Sequence, residues 1–423
     1  MPIAVATPLR RIVAVALALV LAACGPAPTG SPPPSPSAPA TASPSPAASL
    51  DAPAVYAEIA AQVEGIRGLR ATADVTPVLL DADQLRANLT ADFDRDNPPA
   101  VVRLTQELYI QLGLLPAGTS LREAYLDLAS GQVAGYYSVT ARELFVVSRS
   151  GGVGPTQRVT YAHEFTHQLQ DQNFDLSRLI GTATDQGDRS LARLGLIEGD
   201  AVSAQSSWMT ANLTAADLAQ LLADASDPAA LAALQRAPAI LRTTALYPYT
   251  EGLAFVQALM ARGGNEAVDA AFADPPASTA QVLHPELYTT RVEPVAVTLP
   301  ATLAGSLGSG WSLLGEDTLG ELQLRGWLSA DGVDLPTAAT VAAGWAGDRV
   351  AILAGPNGQV ALALVLAWTS PADIAEFAAA WDSVRTKVAG EWIYDGTLGD
   401  NRVAVLLAPS RAAAQALDAT LRP

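Results

Sequence analysis

Two histidines and a glutamate lie close enough in the sequence to bind a metal ion and activate water. The segment T-Y-A-H-E-F-T-H-Q-L-Q-D contains His163, Glu164 and His167, and these two histidines are among only 3 in the chain. Residues four apart share one face of a helix, so both imidazoles can reach one ion. Glu164 projects beside them, where it can accept a proton from a metal-coordinated water. The spacing therefore predicts a metal site on a helix, with Glu164 as general base.

A catalytic zinc ion needs a third protein ligand and keeps one position open for water. The favoured third ligand is Glu198, in L-I-E-G-D-A, because an acid among the apolar residues of a packed helix needs a cation or a hydrogen-bond partner. The adjacent Gly199 allows two backbones to approach closely. The alternatives are Glu251, in Y-P-Y-T-E-G, and His284, in V-L-H-P-E. We predict that Zn²⁺ is bound by His163, His167 and Glu198.

These motifs resemble a known class of enzymes. H-E-F-T-H, followed about thirty residues later by E-G-D-A, resembles the gluzincin branch of zinc metallopeptidases. The segments G-Y-Y-S-V, Y-T-E-G-L-A-F-V and P-P-A-S-T-A-Q-V-L-H-P-E are similar to those of bacterial secreted zincin-like proteins, and this resemblance covers roughly residues 100–290. It implies that two histidines and a downstream glutamate bind zinc, and that the glutamate of the first motif drives peptide hydrolysis.

The resemblance also indicates where supporting residues are expected. In the thermolysin pattern an aspartate four positions after the ligand glutamate supports a histidine, but Val202 occupies that position here. The candidates for orienting an imidazole are therefore Asp171, four residues after His167, and Asp200. Gluzincins often stabilise the oxyanion with a tyrosine or histidine from a later helix. The candidates for that catalytic role are Tyr249, Tyr247 and His284.

The remaining patterns predict an α+β fold. A mainly helical zincin-like domain with a small β-hairpin is expected over residues 52–297, and a smaller α+β module over residues 298–423. The hairpin strands G-Y-Y-S-V and L-F-V-V-S either pack as an ordinary sheet or present an exposed edge, flanked by Tyr136 and Phe145, to an extended peptide. In the second module, G-W-A-G-D-R (344–349) is interpreted as a glycine-rich turn.

The amino terminus has the features of an export signal. Arg10 and Arg11 precede an apolar run that is shorter than the roughly 20 residues of a membrane span. The run ends in L-A-A-C, which resembles the bacterial lipoprotein box and predicts a signal peptide over residues 1–23 and a lipid on Cys24. Residues 24–51, rich in proline, serine and alanine, are predicted to be a disordered tether. Together these features predict attachment to the bacterial cell envelope, outside the cytoplasm.

Composition limits the possible partners. The chain has 423 residues, of which 50% are hydrophobic, and a net charge of −17, which disfavours binding to nucleic acid. The sequence thus favours a lipid-anchored, extracytoplasmic zinc peptidase that acts on a peptide or protein substrate. The alternatives are an inactive zincin scaffold that binds a partner at the surface, and a zinc amidase that acts on cell-wall material. No pattern in the sequence indicates an oligomeric state.

Mass analysis of the native amino terminus tests the predicted anchor. We expect the mature chain to begin at Cys24 and to carry the mass of the attached lipid, because the short apolar run and L-A-A-C predict cleavage before that residue. The Cys24→Ser variant should keep its signal peptide and lack the lipid. An unmodified wild-type chain that retains residues 1–23 would refute the anchor.

Overall fold

The computed structural model describes residues 52–147, 153–181, 185–396 and 398–422. The predicted signal peptide, Cys24 and the predicted tether lie outside the described residues. The fold is α+β, 62% helical with two small sheets, which confirms the predicted fold class. No described helix combines the length and apolar composition that crossing a membrane requires.

Helices form most of the first part of the chain and recur around the second sheet. Those before residue 298 are α1 (Ala52–Arg67), α2 (Ala82–Asp96), α3 (Pro99–Gln111), α4 (Leu121–Gln132), α5 (Pro155–Phe174), α6 (Leu176–Ile180), α7 (Gly187–Asn212), α8 (Ala215–Ala225), α9 (Pro228–Arg236), α10 (Ala239–Ala273), α11 (Thr279–Leu283) and α12 (Pro285–Thr289). Those after it are α13 (Leu303–Ser306), α14 (Gly320–Ala330), α15 (Leu335–Ala343), α16 (Pro371–Val384) and α17 (Arg411–Leu421).

The first sheet contains the predicted hairpin. Its strands are β1 (Val78–Leu80), β2 (Gly135–Ser138) and β3 (Glu143–Val147), in the order β1-β3-β2. β2 pairs antiparallel with β3, whereas β1 pairs with it in parallel. Tyr136 and Phe145 are cross-strand partners whose rings stack with centroids 4.6 Å apart.

For β2, the structure favours the alternative of an ordinary packed sheet over an edge exposed to a peptide. All four residues of this edge strand are buried, and Gly135 lies so close to α5 that an added Cβ would be 2.5 Å from Thr160 Cγ2. The hairpin packs on the helix that carries the two histidines, so it positions that helix instead of presenting an open edge. Hydrophobicity patterns report which residues are buried but do not identify the element that covers a strand edge.

The second sheet is antiparallel and has apolar residues on both faces. Its strands are β4 (Ser312–Asp317), β5 (Trp345–Ala354), β6 (Val360–Trp368), β7 (Glu391–Asp395) and β8 (Arg402–Ala408), in the order β4-β5-β6-β8-β7. The predicted turn at 344–349 is wrong, because β5 begins at Trp345 and continues past an irregularity between Trp345 and Gly347. A glycine in a strand often marks such a bulge.

The largest hydrophobic core spans both parts of the chain. Leu104 and Leu108 of α3 belong to the same buried cluster as Trp327 of α14 and Ile352 and Leu364 of the second sheet. The indole Nε1 of Trp327 donates to the carbonyl of Leu112, 3.0 Å away. The core therefore continues across residue 298.

A buried carboxylate also joins the two parts, at the first turn of α7. Asp188 accepts hydrogen bonds from the backbone N–H and the hydroxyl of Thr279, and a Cβ on Gly320 would lie 1.8 Å from its Oδ1. Burial raises the pKa of Asp188 to about 8, although the bonds from Thr279 oppose the shift; the charges of Asp348 and Glu321 add to it. The folded chain thus holds this proton more tightly than the unfolded chain, whose aspartate pKa is near 3.8.

The Asp188→Asn substitution should change how stability depends on pH. The contribution of a group with a raised folded-state pKa is fully present below the unfolded pKa and is lost as pH rises through the folded pKa. We expect Asp188→Asn to be more stable than wild type at pH 8, because the amide stays neutral. The difference in the free energy of unfolding should be a few kcal/mol, since each unit of pKa shift contributes at most about 1.4 kcal/mol. The difference should shrink at pH 5. Urea unfolding at both pH values measures it, and a difference independent of pH would contradict this account.

Candidate metal centre

The two histidines of the first motif lie on a buried helix, as predicted. Val159, Ala162, Phe165 and Leu169 form the side of α5 that packs into the core, each at most 8% exposed. His163 and His167 lie on another side of the helix, with ring centroids 4.8 Å apart. Their Nε2 atoms are 3.1 Å apart. One turn of α5 therefore directs two imidazole nitrogens at the same point.

Glu198 is brought to the histidines by the packing of α7. Its Oε2 lies 3.2 Å from Nε2 of His163 and 3.4 Å from Nε2 of His167. Gly199 makes this arrangement possible, because an added Cβ there would lie 2.2 Å from the carbonyl oxygen of Gly252 in α10. The predicted close backbone approach at Gly199 is confirmed. A larger residue would push α7 and α10 apart and shift Glu198.

His163, His167 and Glu198 form a group that could hold a metal ion. Each offers one ligand atom, all within 4.8 Å of one another, and all three side chains are buried. Tetrahedral coordination at about 2.0–2.1 Å places ligand atoms about 3.3–3.4 Å apart. The observed separations of 3.1, 3.2 and 3.4 Å match that geometry closely.

The protonation states of this group suit metal binding. Burial lowers the pKa of His163, which favours a neutral imidazole with a free lone pair. Burial alone would raise the pKa of Glu198, but the two histidines reverse the shift and lower it. Neutral imidazole and ionised carboxylate are the forms that bind metal ions.

Glu164 lies in the same buried centre and has an unusual environment. Its side chain is 0% exposed, and neither carboxylate oxygen has a hydrogen-bond partner among the described residues. Burial raises the pKa of Glu164 well above its usual value; the charge of Glu198 adds to this, and the nearby backbone of Tyr137 in β2 opposes it. A buried carboxyl group without partners is costly. A polar group that entered the centre could interact with either oxygen.

The structure brings one of the predicted oxyanion donors to the ligands. The ring of Tyr249 stacks on that of His163 with centroids 6.2 Å apart. Tyr247 instead directs its buried hydroxyl towards Gly195 in α7, where an added Cβ would lie 2.8 Å from it. His284 lies elsewhere: its Nε2 is 2.8 Å from Oε1 of Glu321 in α14. The ligand group therefore does not include His284. The other alternative ligand, Glu251, is also outside the group and pairs with Arg325 at 2.7 Å.

Asp171 does not orient an imidazole, so that prediction is wrong. Its carboxylate accepts from the hydroxyl of Tyr137 at 3.0 Å and from the backbone N–H of Leu176 at 3.2 Å. Four residues advance an α-helix by about 400°, so Asp171 lies about 40° further around α5 than His167, where it meets Tyr137 of β2 instead of an imidazole. Gln170, at about 300°, lies on the side of α7, and its Oε1 is 2.8 Å from Nδ1 of His167.

Asp200 supports the centre through an intermediate residue. It accepts a hydrogen bond from Nε2 of Gln170 at 2.8 Å and pairs with Arg67 of α1 at 2.8 Å. The predicted direct contact with a histidine is replaced by this indirect one. Oε1 of Gln205, in α7, lies 3.2 Å from Nδ1 of His163. Sequence reasoning missed both glutamines, although Gln170 follows His167 by three and Gln205 follows Glu198 by seven, spacings that share a helical face.

Comparison with known proteins concerns the second part of the chain. Residues 312–418 match a domain family of unknown function, DUF8575. This segment begins with β4 and ends in α17, and it does not include the metal-ligand group. No curated protein and no solved structure matches the chain.

Substitution of the third ligand tests the metal centre. We expect the wild-type protein to bind one divalent ion per chain, and Glu198→Gln to weaken binding by at least about 100-fold, because it removes one of three ligands. Titration of metal-stripped protein with Zn²⁺ in a calorimeter measures the change. Glu251→Gln is the matched control and should bind as wild type. Equal affinities for wild type and Glu198→Gln would exclude the assigned ligand set.

Proposed function

We propose that this chain is a zinc-dependent peptidase of gluzincin type, attached to the outer side of a bacterial cell membrane by a lipid on Cys24. One observation carries the proposal: three buried ligand atoms from His163, His167 and Glu198 converge with the spacing of a tetrahedral site, and Glu164 lies in the same centre. The resemblance of H-E-F-T-H and E-G-D-A to gluzincins supports the same reaction.

Zinc is the metal that this donor set favours. Two imidazole nitrogens and one carboxylate oxygen are typical of catalytic zinc sites with an open fourth position. A zinc ion bound there supplies a Lewis acid that polarises a carbonyl group and lowers the pKa of coordinated water to about 7.

Glu164 is suited to move the proton in this reaction. Because its carboxylate oxygens have no hydrogen-bond partner among the described residues, they can accept a proton from an attacking water without breaking an existing bond. The same carboxyl group can then donate that proton to the leaving amine. Helix α5 carries Glu164 into the centre, and the backbone of Tyr137 lies near it from the side of β2.

Tyr249 is the residue that we assign to the oxyanion. Its ring lies against that of His163 and the residue is 4% exposed, so its side chain belongs to the same buried region as the ligands. A tyrosine hydroxyl can donate a hydrogen bond to the negative charge that develops on the carbonyl oxygen. His284, paired with Glu321, is not needed for this step.

The Glu164→Gln substitution separates a peptidase from an inactive scaffold. We expect it to lower casein cleavage by about 10²–10⁴-fold, since glutamine is similar in size and cannot accept the proton. Bound zinc should remain near one ion per chain, because Glu164 is not a ligand. Metal content by mass spectrometry and release of labelled peptides measure the two quantities, with Glu251→Gln as control. Equal cleavage rates would remove the peptidase claim, and bound zinc without any cleavage would favour the binding scaffold.

A further inference from the structure

We propose that Gln170 is a positioning residue that fixes the tautomer and orientation of His167, and that the buried Arg67–Asp200 ion pair in turn fixes Gln170. This inference rests on the proposed metal site. It assigns a role to three residues that do not contact the metal position themselves.

The hydrogen bonds of Gln170 determine which nitrogen of His167 carries the proton. Nε2 of Gln170 donates to the carbonyl oxygen of Ile197 at 2.9 Å and to the carboxylate of Asp200 at 2.8 Å. Both partners only accept, so the amide cannot be turned around. Oε1 of Gln170 must therefore face Nδ1 of His167, 2.8 Å away, and an oxygen can only accept there. Nδ1 carries the proton, and Nε2 keeps the lone pair that a metal needs.

The ion pair behind Gln170 makes this orientation rigid. Arg67 and Asp200 are each 2% exposed, and Nε of Arg67 lies 2.8 and 2.9 Å from the two carboxylate oxygens. A second carboxylate, that of Asp269, lies 2.6 Å from Nη2 of Arg67. Because neither charge can leave its partner without a large desolvation cost, the carboxylate of Asp200 stays in place and continues to accept from Gln170.

Without Gln170, another arrangement of His167 would compete with metal binding. A proton on Nε2 could be donated to Nε2 of His163 or to Glu198, which lie 3.1 and 3.4 Å away. That arrangement places an N–H where the metal would bind. The Gln170 amide stabilises the opposite tautomer, so its contribution should appear as metal affinity.

Two buried glutamines on α5 provide a matched comparison. Gln168 and Gln170 are at most 1% exposed, and Nε2 of each donates to a backbone carbonyl, that of Ala73 at 3.1 Å and that of Ile197 at 2.9 Å. Only Gln170 contacts a histidine. We expect Gln170→Leu to raise the dissociation constant for Zn²⁺ about 10–100-fold and to alter the visible absorption spectrum of the Co²⁺-substituted protein. Gln168→Leu should leave both unchanged.

A substitution that keeps the length of the side chain tests the same hydrogen bonds with less change in shape. Gln170→Met lacks the amide that accepts from Nδ1 of His167 and donates to Asp200, so it should weaken Zn²⁺ binding as Gln170→Leu does. Gln168→Met is its matched control and should bind Zn²⁺ as wild type.

The outcomes distinguish this inference from the proposed function. Wild-type protein that binds no Zn²⁺ would overturn both. Wild-type binding together with unchanged affinity and spectrum in Gln170→Leu would overturn the role of Gln170 alone. Weaker Zn²⁺ binding by Gln170→Leu, with no peptidase activity in wild type, would support the role of Gln170 and reject only the enzyme. If Gln170→Leu does not fold, Gln170→Met against Gln168→Met decides.

Discussion

The cost of keeping charge away from water constrains the whole centre. His163, Glu164, His167 and Glu198 are each at most 1% exposed, and two of them are carboxylic acids. A carboxylate in such surroundings needs a cation or several hydrogen-bond donors. The imidazoles contact Glu198, and the oxygens of Glu164 have no hydrogen-bond partner within the part of the chain that the structure describes. A divalent cation would supply the missing positive charge.

The positions of these residues depend on close packing between two helices at their glycines. Gly195 and Gly199 of α7 face Gly252 of α10, and their backbones approach more closely than any side chain would permit. Glu198 lies between Gly195 and Gly199 in the sequence, so the packing of these two glycines fixes its position. Arg67 connects α1 to the same helix pair through Asp200. The geometry of three ligand atoms thus depends on the packing of four helices, α1, α5, α7 and α10.

Sequence reasoning succeeded where helical spacing or the cost of burying a charge determines the outcome. His163 and His167 share a face because of helical geometry alone, and Glu198 could be inferred because an acid among apolar neighbours needs a partner. It failed where contacts between elements decide. Asp171 has the right spacing from His167, but β2 supplies Tyr137 as its partner. The sequence predicts β2 as a strand, but it does not indicate that α5 covers this strand. Gln170 shares a helical face with His167, but its role also depends on a carboxylate thirty residues away in the sequence, which helical spacing does not indicate.

The continuous core has a consequence for the segment that matches DUF8575. Val350, Ile352, Leu362 and Leu364 lie on the sheet face that shares a core with Leu104 and Leu108 of α3, and α3 precedes the matched residues by about two hundred positions. Excised from this chain, residues 312–418 would keep α14 and α16 on that face but would expose the part that α3 covers. The segment is therefore an incomplete structural unit here, because helices from the first part of the chain complete its hydrophobic core. Unfolding of either part should remove the hydrophobic cover of the other, which couples the metal centre to a sheet that supplies none of its ligands.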